Sequence, residues 1–321
     1  MADFEAAVVE RDKDIQQQFR SIYDEIHKVI IGNDEVIENV LIALFADGHI
    51  LLESVPGMGK TMLTNTIAQT LEFDFKRIQG TPDLAASDIL GKLVFDEKTH
   101  QYRVVKGPVF TNILLLDEIN RAQPKTQSAL LEAMAEKKIT LGTETYQLPK
   151  PFIVIATQNP IEQMGTYPLP EAQLDRFLFK SVLKYLTQEE EIQIMKSTLT
   201  EKKVNPVFNP AEIRIIQKEI VDSVFVADSV LEYATKIIDE TRTRKELSVG
   251  ASPRASIAFM KTTKVRAFIE GRDHATPDDI RKLAFPILRH RILLYPHYSD
   301  MGVTTDDIIA KILNKLESPM D

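Results

Sequence analysis

A short loop with two glycines and a lysine constrains the fold of this chain more than any other feature. Residues 49–53, HILLE, have the length of a buried strand, and the loop SVPGMGKT follows at residues 54–61. An amphipathic helical pattern starts directly after the loop. A strand, a glycine loop and a helix in this order bind phosphate, because backbone N–H groups at the helix start point toward the anion. The pattern predicts a P-loop NTPase of the α/β class.

The side chains of this loop have separate predicted roles. Lys60 reaches the oxygens of the β- and γ-phosphates, and the Thr61 hydroxyl can ligate Mg²⁺. Ser54 stands where the pattern has its first glycine, and a serine fits there if its φ angle is negative. A chance glycine turn before a helix is the alternative interpretation. The other residues predicted to bind the nucleotide here are Val55, Pro56, Gly57, Met58, Gly59 and Met62.

Five apolar runs of strand length alternate with helical or irregular stretches. They lie at residues 49–53, 73–78, 112–116, 152–157 and 179–183. This alternation indicates a five-stranded parallel sheet between helices, an αβα sandwich. Two segments break the pattern, residues 92–106 and 139–148, and we expect each to form a hairpin inserted at the rim of the sheet.

The second half of the chain shows a different pattern. Residues 187–190, TQEE, form a capping box, and no comparable strand pattern follows. Three later helix starts place a capping residue before a proline, at Asn209-Pro210, Ser252-Pro253 and Thr276-Pro277. We therefore expect an all-helical domain over residues 187–321, after a core over residues 29–186. Apolar residues at helical spacing predict a separate N-terminal helical arm over residues 1–28: Ile15, Phe19, Ile22 and Ile26.

The predicted strand at residues 112–116 ends in two carboxylates, Asp117 and Glu118. Because the carboxyl ends of parallel strands meet at one crevice, both are expected near the phosphate-binding loop. There Asp117 would hold Mg²⁺ through water, and Glu118 would orient and deprotonate the attacking water. Asn159, after the strand at residues 152–157, could contact the γ-phosphate. Taken alone, these residues are equally typical of ordinary acidic and Asn-Pro turns.

Composition and charge exclude other classes. The chain has no cysteine, which excludes disulfides, thiolate nucleophiles and cysteine-ligated metals. Its net charge of −8 repels nucleic acid on average. The longest apolar run, residues 40–46, is too short for a membrane span, and the N-terminus lacks a signal-peptide pattern. We expect a cytoplasmic protein that does not insert into membranes.

Five segments together resemble the MoxR family of AAA+ ATPases. They are SVPGMGKT at residues 54–61, ILLLDEINRA at 113–122, TQSALLEA at 126–133, ATQNPI at 156–161 and GTYPLPEAQLDRF at 165–177. The resemblance covers nearly the whole chain from about residue 29. It implies an αβα core followed by an all-helical lid, with ATP and Mg²⁺ as cofactors. It also implies a ring-shaped homo-oligomer, commonly a hexamer, with a chaperone-like action on client proteins, frequently ones with von Willebrand A domains.

The resemblance assigns roles to four further positions. Arg176 resembles the arginine finger that reaches the γ-phosphate held by the neighbouring subunit, and Arg121 is a rival for that role. Arg254, at the start of a predicted lid helix, resembles the second sensor. Ile31 and Gly32 resemble the hinge segment that packs on adenine. The alternative role for Arg176 is a structural ion pair with Asp175 at the end of a helix. The alternative role for Ile31 is ordinary packing in the core.

Two other functions compete with that of an ATP-hydrolysing remodelling protein. The first is a scaffold that binds ATP and assembles but hardly hydrolyses it, although a pure scaffold needs neither Glu118 nor Arg176. The second is a DNA-processing AAA+ protein, which the acidic charge and the lack of an appended DNA-binding module disfavour. Basic clusters such as residues 289–291 are more often salt-bridge partners than nucleic-acid contacts. We do not expect nucleic acid as a partner.

Overall fold

The computed structural model describes residues 16–161, 165–197 and 202–319. These residues form two compact units. The first unit comprises residues 22–161, 165–177, 181–197 and 202–214. The second unit comprises residues 16–21, 178–180 and 215–319.

Strands and helices alternate along the first part of the chain. In chain order they are α1 (residues 16–27), α2 (Asp34–Phe45), β1 (Ile50–Glu53), α3 (Lys60–Thr70), β2 (Phe75–Gln79), α4 (Ala86–Leu90), β3 (Gly91–Asp96), β4 (Gln101–Lys106), β5 (Ile113–Asp117), a 3-10 turn (Ile119–Arg121), α5 (Pro124–Glu136), β6 (Lys138–Leu141), β7 (Glu144–Gln147), β8 (Ile153–Gln158), α6 (Glu171–Leu174), β9 (Phe179–Val182) and α7 (Gln188–Ser197). Five strands form one sheet in the order β2-β5-β8-β1-β9, and the pairs β2–β5, β5–β8 and β8–β1 are parallel.

The burial of each strand follows its position in the sheet. The central strands β5 and β8 are buried along almost their whole length, and their sequences are the apolar runs ILLLD and IVIATQ. The edge strand β2 buries Ile78 and exposes Lys76, Arg77 and Gln79. Strands buried on both faces need such runs. All five predicted strands are present, with every boundary within two residues of the prediction.

Two hairpins interrupt the alternation at the positions that the sequence predicts. β3 pairs with β4 and β6 pairs with β7, both antiparallel and both outside the five-stranded sheet. Lys106, at the end of β4, contacts two aromatic rings: its Nζ lies 5.0 Å from the ring centre of Phe110 and 5.3 Å from that of Tyr146 in β7. These cation–π contacts join the base of one hairpin to the other.

Helices dominate the chain after residue 209. The elements are α8 (Pro210–Ser223), α9 (Asp228–Thr243), β10 (Leu247–Val249), α10 (Pro253–Ile269), α11 (Pro277–Leu288), β11 (Leu293–Leu294), α12 (Pro296–Asp300) and α13 (Thr305–Lys315). Three of these helices start at the proline that follows a predicted cap. β10 and β11 form a short antiparallel ladder that the all-helical prediction did not include. Among the described residues, no helix combines the length and the apolar character needed to cross a bilayer.

The N-terminal helix divides between the two units, whereas the sequence predicts a separate arm up to residue 28. Residues 16–21 belong to the second unit, where the Phe19 ring packs edge-on against Phe268 with ring centres 6.1 Å apart. Residues 22–27 belong to the first unit, and Ile22 and Ile26 are fully buried. Ile15 lies outside the described residues.

The predicted boundary at residue 186 also differs from the observed division. Residues 187–197 and 202–214 belong to the unit that contains the sheet. Two hydrogen bonds tie the later segment to that unit: the Asn205 N–H donates to the Glu25 carboxylate at 2.9 Å, and the Val207 N–H donates to the Thr70 carbonyl at 2.8 Å. A sequence pattern records the helix start at residue 188 but not these distant partners.

A buried histidine joins β8 to α5. His49 Nδ1 accepts a hydrogen bond from the Val154 N–H at 3.0 Å, so Nε2 carries the proton and donates to the Met134 carbonyl at 3.1 Å. The ring is neutral, because burial lowers the pKa of His49 from 6.5 to about 4. Its two bonds satisfy backbone groups that would otherwise be buried without partners.

We predict that this histidine makes stability fall in mild acid. Between pH 6.5 and about 4 the unfolded chain binds a proton at His49 that the folded chain does not, so the free energy of unfolding decreases as the pH falls. The contribution is about 3 kcal/mol over this range. Urea unfolding at pH 7, 5.5 and 4.5 measures it. His49→Gln removes the titrating group, so its stability should fall less steeply; equal slopes for both proteins would contradict the assignment.

Candidate nucleotide-binding site

The phosphate-binding loop connects β1 to α3, as the sequence predicts. Gly57 and Gly59 have φ angles of +85° and +72°, in the left-handed region that favours glycine. A Cβ atom at either position would meet no atom within 4 Å, so the backbone conformation, and not lack of space, requires these glycines. Gly59 is the N-cap of α3, and Lys60 is the first helical residue. The first turn of α3 therefore directs its free N–H groups into the loop.

Ser54 occupies the first position of the loop without strain. It is 3% exposed, and it is not one of the residues with positive φ. Its N–H donates to the Gln158 carbonyl at 3.1 Å, and its hydroxyl donates to the Val55 carbonyl at 3.1 Å. Because its φ angle is not positive, a serine fits this position of the loop as predicted.

A pocket of about 610 Å³ lies beside the loop, within the first unit. Its wall is mainly apolar and includes residues 29–31, residues 56–59, Met62 and Tyr185. Size and apolar lining suit a nucleobase next to a phosphate site. Ile31 and the predicted loop residues Pro56, Gly57, Met58, Gly59 and Met62 thus line one cavity.

Gly32 stands between Ile31 and Asn33, which both line this pocket. Its φ angle is +70°, and a Cβ there would lie 2.4 Å from Glu190 Oε1 and 2.9 Å from Leu186 Cδ2. Glu190 is held in turn by the capping box, in which it accepts from the Thr187 N–H at 2.7 Å. Gly32 therefore allows its own segment and the start of α7 to pack closely.

Lys60 faces both carboxylates at the end of β5. Burial lowers the pKa of Lys60, and the negative charges of Asp117 and Glu118 act in the opposite direction. The strand order explains this meeting, because β1, which leads into the loop, is separated from β5 only by β8. The structure thus brings together the three charged residues that the sequence predicts.

Asp117 is 5% exposed and has two side-chain partners. Its carboxylate accepts from Arg77 Nε at 2.7 Å and from the Thr157 hydroxyl at 3.3 Å. Together with Thr61 it offers one carboxylate and one hydroxyl, a donor set that suits a Mg²⁺ ion sharing phosphate oxygens. In the part of the chain that the structure describes, no cluster of three or more His, Asp or Glu side chains could hold a metal alone.

Glu118 is held in an unusual backbone conformation. Its φ and ψ are both 54°, in the left-handed region that residues other than glycine, asparagine and aspartate seldom adopt. Its N–H donates to the Thr157 hydroxyl at 2.9 Å. Its carboxylate accepts from Gln79 Nε2 at 2.8 Å and pairs with Arg121 Nε at 3.2 Å. Such strain persists where the surroundings fix the residue, as these contacts do.

The remaining predicted residues lie in different surroundings. Asn159 is 5% exposed, and its Oδ1 accepts from the Ile161 N–H at 3.1 Å, which leaves the amide nitrogen as the donor available to a phosphate. Arg176 is exposed, and its Nη1 donates to the Leu131 carbonyl at 3.3 Å. Arg254 lies in the second unit, at the start of α10, where its N–H donates to the Ser252 hydroxyl.

Sequence reasoning missed three residues that hold the two carboxylates. Arg77 and Gln79 project from β2, the neighbour of β5, and Arg77 Nη2 also donates to Gln79 Oε1 at 3.2 Å. Thr157 projects from β8, on the other side of β5. The available signal was the i, i+2 spacing of Arg77 and Gln79, which places two polar side chains on the same face of β2. It becomes informative only when the strand order is known.

Comparisons with known proteins agree with this fold. A model of the ATPase family associated with various cellular activities (AAA) matches residues 49–179, and an AAA lid domain model matches residues 239–312. Chaperone MoxR1 of Mycobacterium tuberculosis is 38% identical over 94% of this chain and 82% of its own. The uncharacterized protein YeaC of Bacillus subtilis is 42% identical over 96% and 97%. A crystal structure from Cytophaga hutchinsonii, provisionally described as an ATPase, is 39% identical with a TM-score of 0.91 and covers both chains completely.

These matches define an ATPase-type nucleotide-binding core followed by a AAA lid domain. The chain belongs to the MoxR family of AAA+ ATPases. The fold and the family that the sequence motifs indicated are confirmed.

One glycine beside the site has no room for a side chain. A Cβ at Gly80, directly after β2, would lie 2.2 Å from the Glu118 carbonyl oxygen and 2.9 Å from that of Asp117. The Gly80 N–H donates to the same Asp117 carbonyl at 2.7 Å. The obstacle is backbone, which cannot move aside as a flexible side chain does.

We therefore predict that Gly80→Ala lowers the free energy of unfolding by about 1–3 kcal/mol, the usual effect of overpacking. Urea denaturation measures the change. Ser87→Ala, an exposed substitution on α4, serves as the control and should change stability by no more than about 0.5 kcal/mol. Equal stabilities of Gly80→Ala and the wild type would show that the turn after Glu118 is not tightly packed.

Proposed function

We propose that this protein hydrolyses ATP with Mg²⁺ and couples hydrolysis to the remodelling of client proteins. The observation that carries the proposal is the position of Glu118: a carboxylate held by Gln79 and Arg121, beside Lys60 of the phosphate-binding loop. A site that only binds nucleotide does not need a carboxylate fixed at this point to accept a proton. Family membership supports the same activity.

Each site residue has a role in the proposed reaction. The loop from Val55 to Thr61 and the half-buried Lys60 bind the phosphates, and Ile31 and Met62 pack on the base. Thr61 and Asp117 would hold Mg²⁺, which offsets charge on the phosphate oxygens when it is bound. Glu118 accepts a proton from the attacking water, and the Asn159 amide donates to the γ-phosphate.

We propose that Arg176 completes the site of the next subunit in a ring. Arg176 is exposed, whereas Arg121 is engaged with Glu118 of its own chain, which favours Arg176 over Arg121 as the finger. A guanidinium supplied from a neighbour makes hydrolysis depend on assembly. Arg254 would act as the second sensor. The relative named Chaperone MoxR1 supports the proposal that the clients are proteins. The resemblance to the MoxR family adds that some clients carry von Willebrand A domains.

Two substitutions should separate nucleotide binding from hydrolysis. Glu118→Gln keeps the shape and the left-handed backbone but cannot accept a proton, so it should bind ATP like the wild type and lose about 10²–10⁴-fold in turnover. Lys60→Ala, the matched variant, should lose ATP affinity instead. Calorimetry with Mg²⁺ and a phosphate-release assay measure both. If Glu118→Gln turns over ATP at the wild-type rate, Glu118 is not the base.

Mixed rings should show which subunit supplies the arginine finger. Arg176→Ala and Lys60→Ala should each be inactive alone, but a mixed ring contains interfaces where an intact loop faces an intact Arg176. Activity should therefore partly return on mixing. Absence of rescue would mean that Arg176 acts within its own chain, or that it only stabilises the fold. Rescue with Arg121→Ala but not with Arg176→Ala would assign the finger to Arg121.

A further inference from the structure

A single buried amide on α5 contacts two segments that are far apart in the sequence. Gln127 is 1% exposed, and its Nε2 donates to the carbonyls of Ile119 at 3.1 Å and Ala122 at 3.0 Å, in the turn that follows Glu118. The same nitrogen donates to the Tyr167 carbonyl at 3.0 Å, in the segment that leads to α6. One side chain thus joins the turn of the proposed base to residues 165–170.

The segment from Tyr167 to Arg176 has further contacts with the same parts of the structure. The Tyr167 N–H donates to the Asn120 carbonyl at 2.6 Å, so both polar groups of the Tyr167 backbone are engaged. Toward the C-terminus of α5, the Ser128 hydroxyl accepts from Gln173 Nε2 at 3.2 Å, and the Leu131 carbonyl accepts from Arg176 Nη1 at 3.3 Å. Helix α5 therefore contacts the Glu118 turn at one end and the Arg176 segment along its length.

The chemistry of residue 127 shows that packing alone does not explain it. The neighbours Leu130, Leu131 and Met134 on α5 are buried apolar residues of the core, where a leucine or methionine would pack without a polar cost. The two hydrogens of Nε2 are shared by three carbonyls, whereas Oε1 is buried and has no hydrogen-bond partner among the described residues. The Gln127 side chain binds three closely spaced backbone carbonyls and thereby fixes their positions relative to one another.

We propose that Gln127 is a positioning residue that holds Glu118 and Arg176 in register with each other. The amide fixes the turn that carries Glu118 and, through Tyr167, the segment that carries Arg176. A shift at the nucleotide held by one subunit is thereby passed to the arginine that this subunit presents to the next. This inference rests on the proposed ATPase activity and ring assembly.

The test uses the full-length protein with Gln127→Met, which keeps the length and volume of the side chain and removes the donor. ATP affinity and ring assembly should stay within about twofold of the wild type, while turnover falls at least tenfold. Thr126→Val is the matched control, because it removes another buried hydrogen bond of α5, from the Thr126 hydroxyl to the Leu84 carbonyl at 2.8 Å, away from the Glu118 turn. Its turnover should stay within twofold of the wild type.

Mixing experiments show whether Gln127→Met disturbs both Glu118 and Arg176 or only one of them. In rings of Gln127→Met and Lys60→Ala, every site with an intact loop uses the Glu118 of a Gln127→Met chain. Where its neighbour is a Lys60→Ala chain, the Arg176 at that site is normal. In rings of Gln127→Met and Arg176→Ala, a normal Glu118 faces the Arg176 of the Gln127→Met chain. The ATPase activity of neither mixture should exceed the sum of the activities of its two components. The mixture of Arg176→Ala and Lys60→Ala, in contrast, should exceed that sum.

Each outcome decides a different point. A wild type that hydrolyses no ATP overturns the proposed function itself, whatever Gln127 does. Given an active wild type, normal turnover of Gln127→Met, rescue in either mixture, or an equal loss in Thr126→Val would overturn the role of Gln127. Melting curves of both variants show whether each protein is folded at the assay temperature. If Gln127→Met is not folded there, Gln127→Leu is measured in its place under the same criteria.

Discussion

The placement of one ammonium group opposite two carboxylates, at the carboxyl end of a parallel sheet, determines most of the architecture of the site. Lys60 can reach Asp117 and Glu118 only if β1 and β5 point the same way and lie close together, as the order β2-β5-β8-β1-β9 ensures. Parallel order requires crossover segments, and these supply the helices of the layer. The continuous apolar strands follow from the same requirement, because a sheet flanked by helices has no solvated face.

Neighbouring strands supply the groups that hold the two carboxylates in place. Arg77 and Gln79 come from β2, and Thr157 comes from β8. These contacts are charge-assisted or involve buried groups, so each depends on the others for its geometry. The site is therefore a property of three adjacent strand ends and not of the phosphate-binding loop alone.

Local sequence patterns predicted the strands and helices well, and short motifs predicted the phosphate-binding loop, Asp117, Glu118 and Asn159. The hydrogen-bond partners that lie far away in the sequence could not be predicted. The sequence gives no sign that Gln79 meets Glu118, since that contact depends on strand order, or that Asn205 meets Glu25, a contact that assigns residues 202–214 to the unit with the sheet. Similarly, the helical spacing of Phe19, Ile22 and Ile26 identifies α1 but not the two units between which it divides. Patterns along the chain record local geometry, whereas unit boundaries depend on contacts between distant segments.

The left-handed backbone at Glu118 places a limit on how this protein can be improved by mutation. Residues that adopt φ near +54° at low cost are glycine, asparagine and aspartate. None of them carries a carboxylate at the reach of a glutamate side chain. Any substitution that relaxes the backbone at this point therefore removes or retracts the group proposed to accept the proton. Selection for thermal stability alone would be expected to drift toward inactive variants here, so a stabilised form of the protein must gain its stability elsewhere.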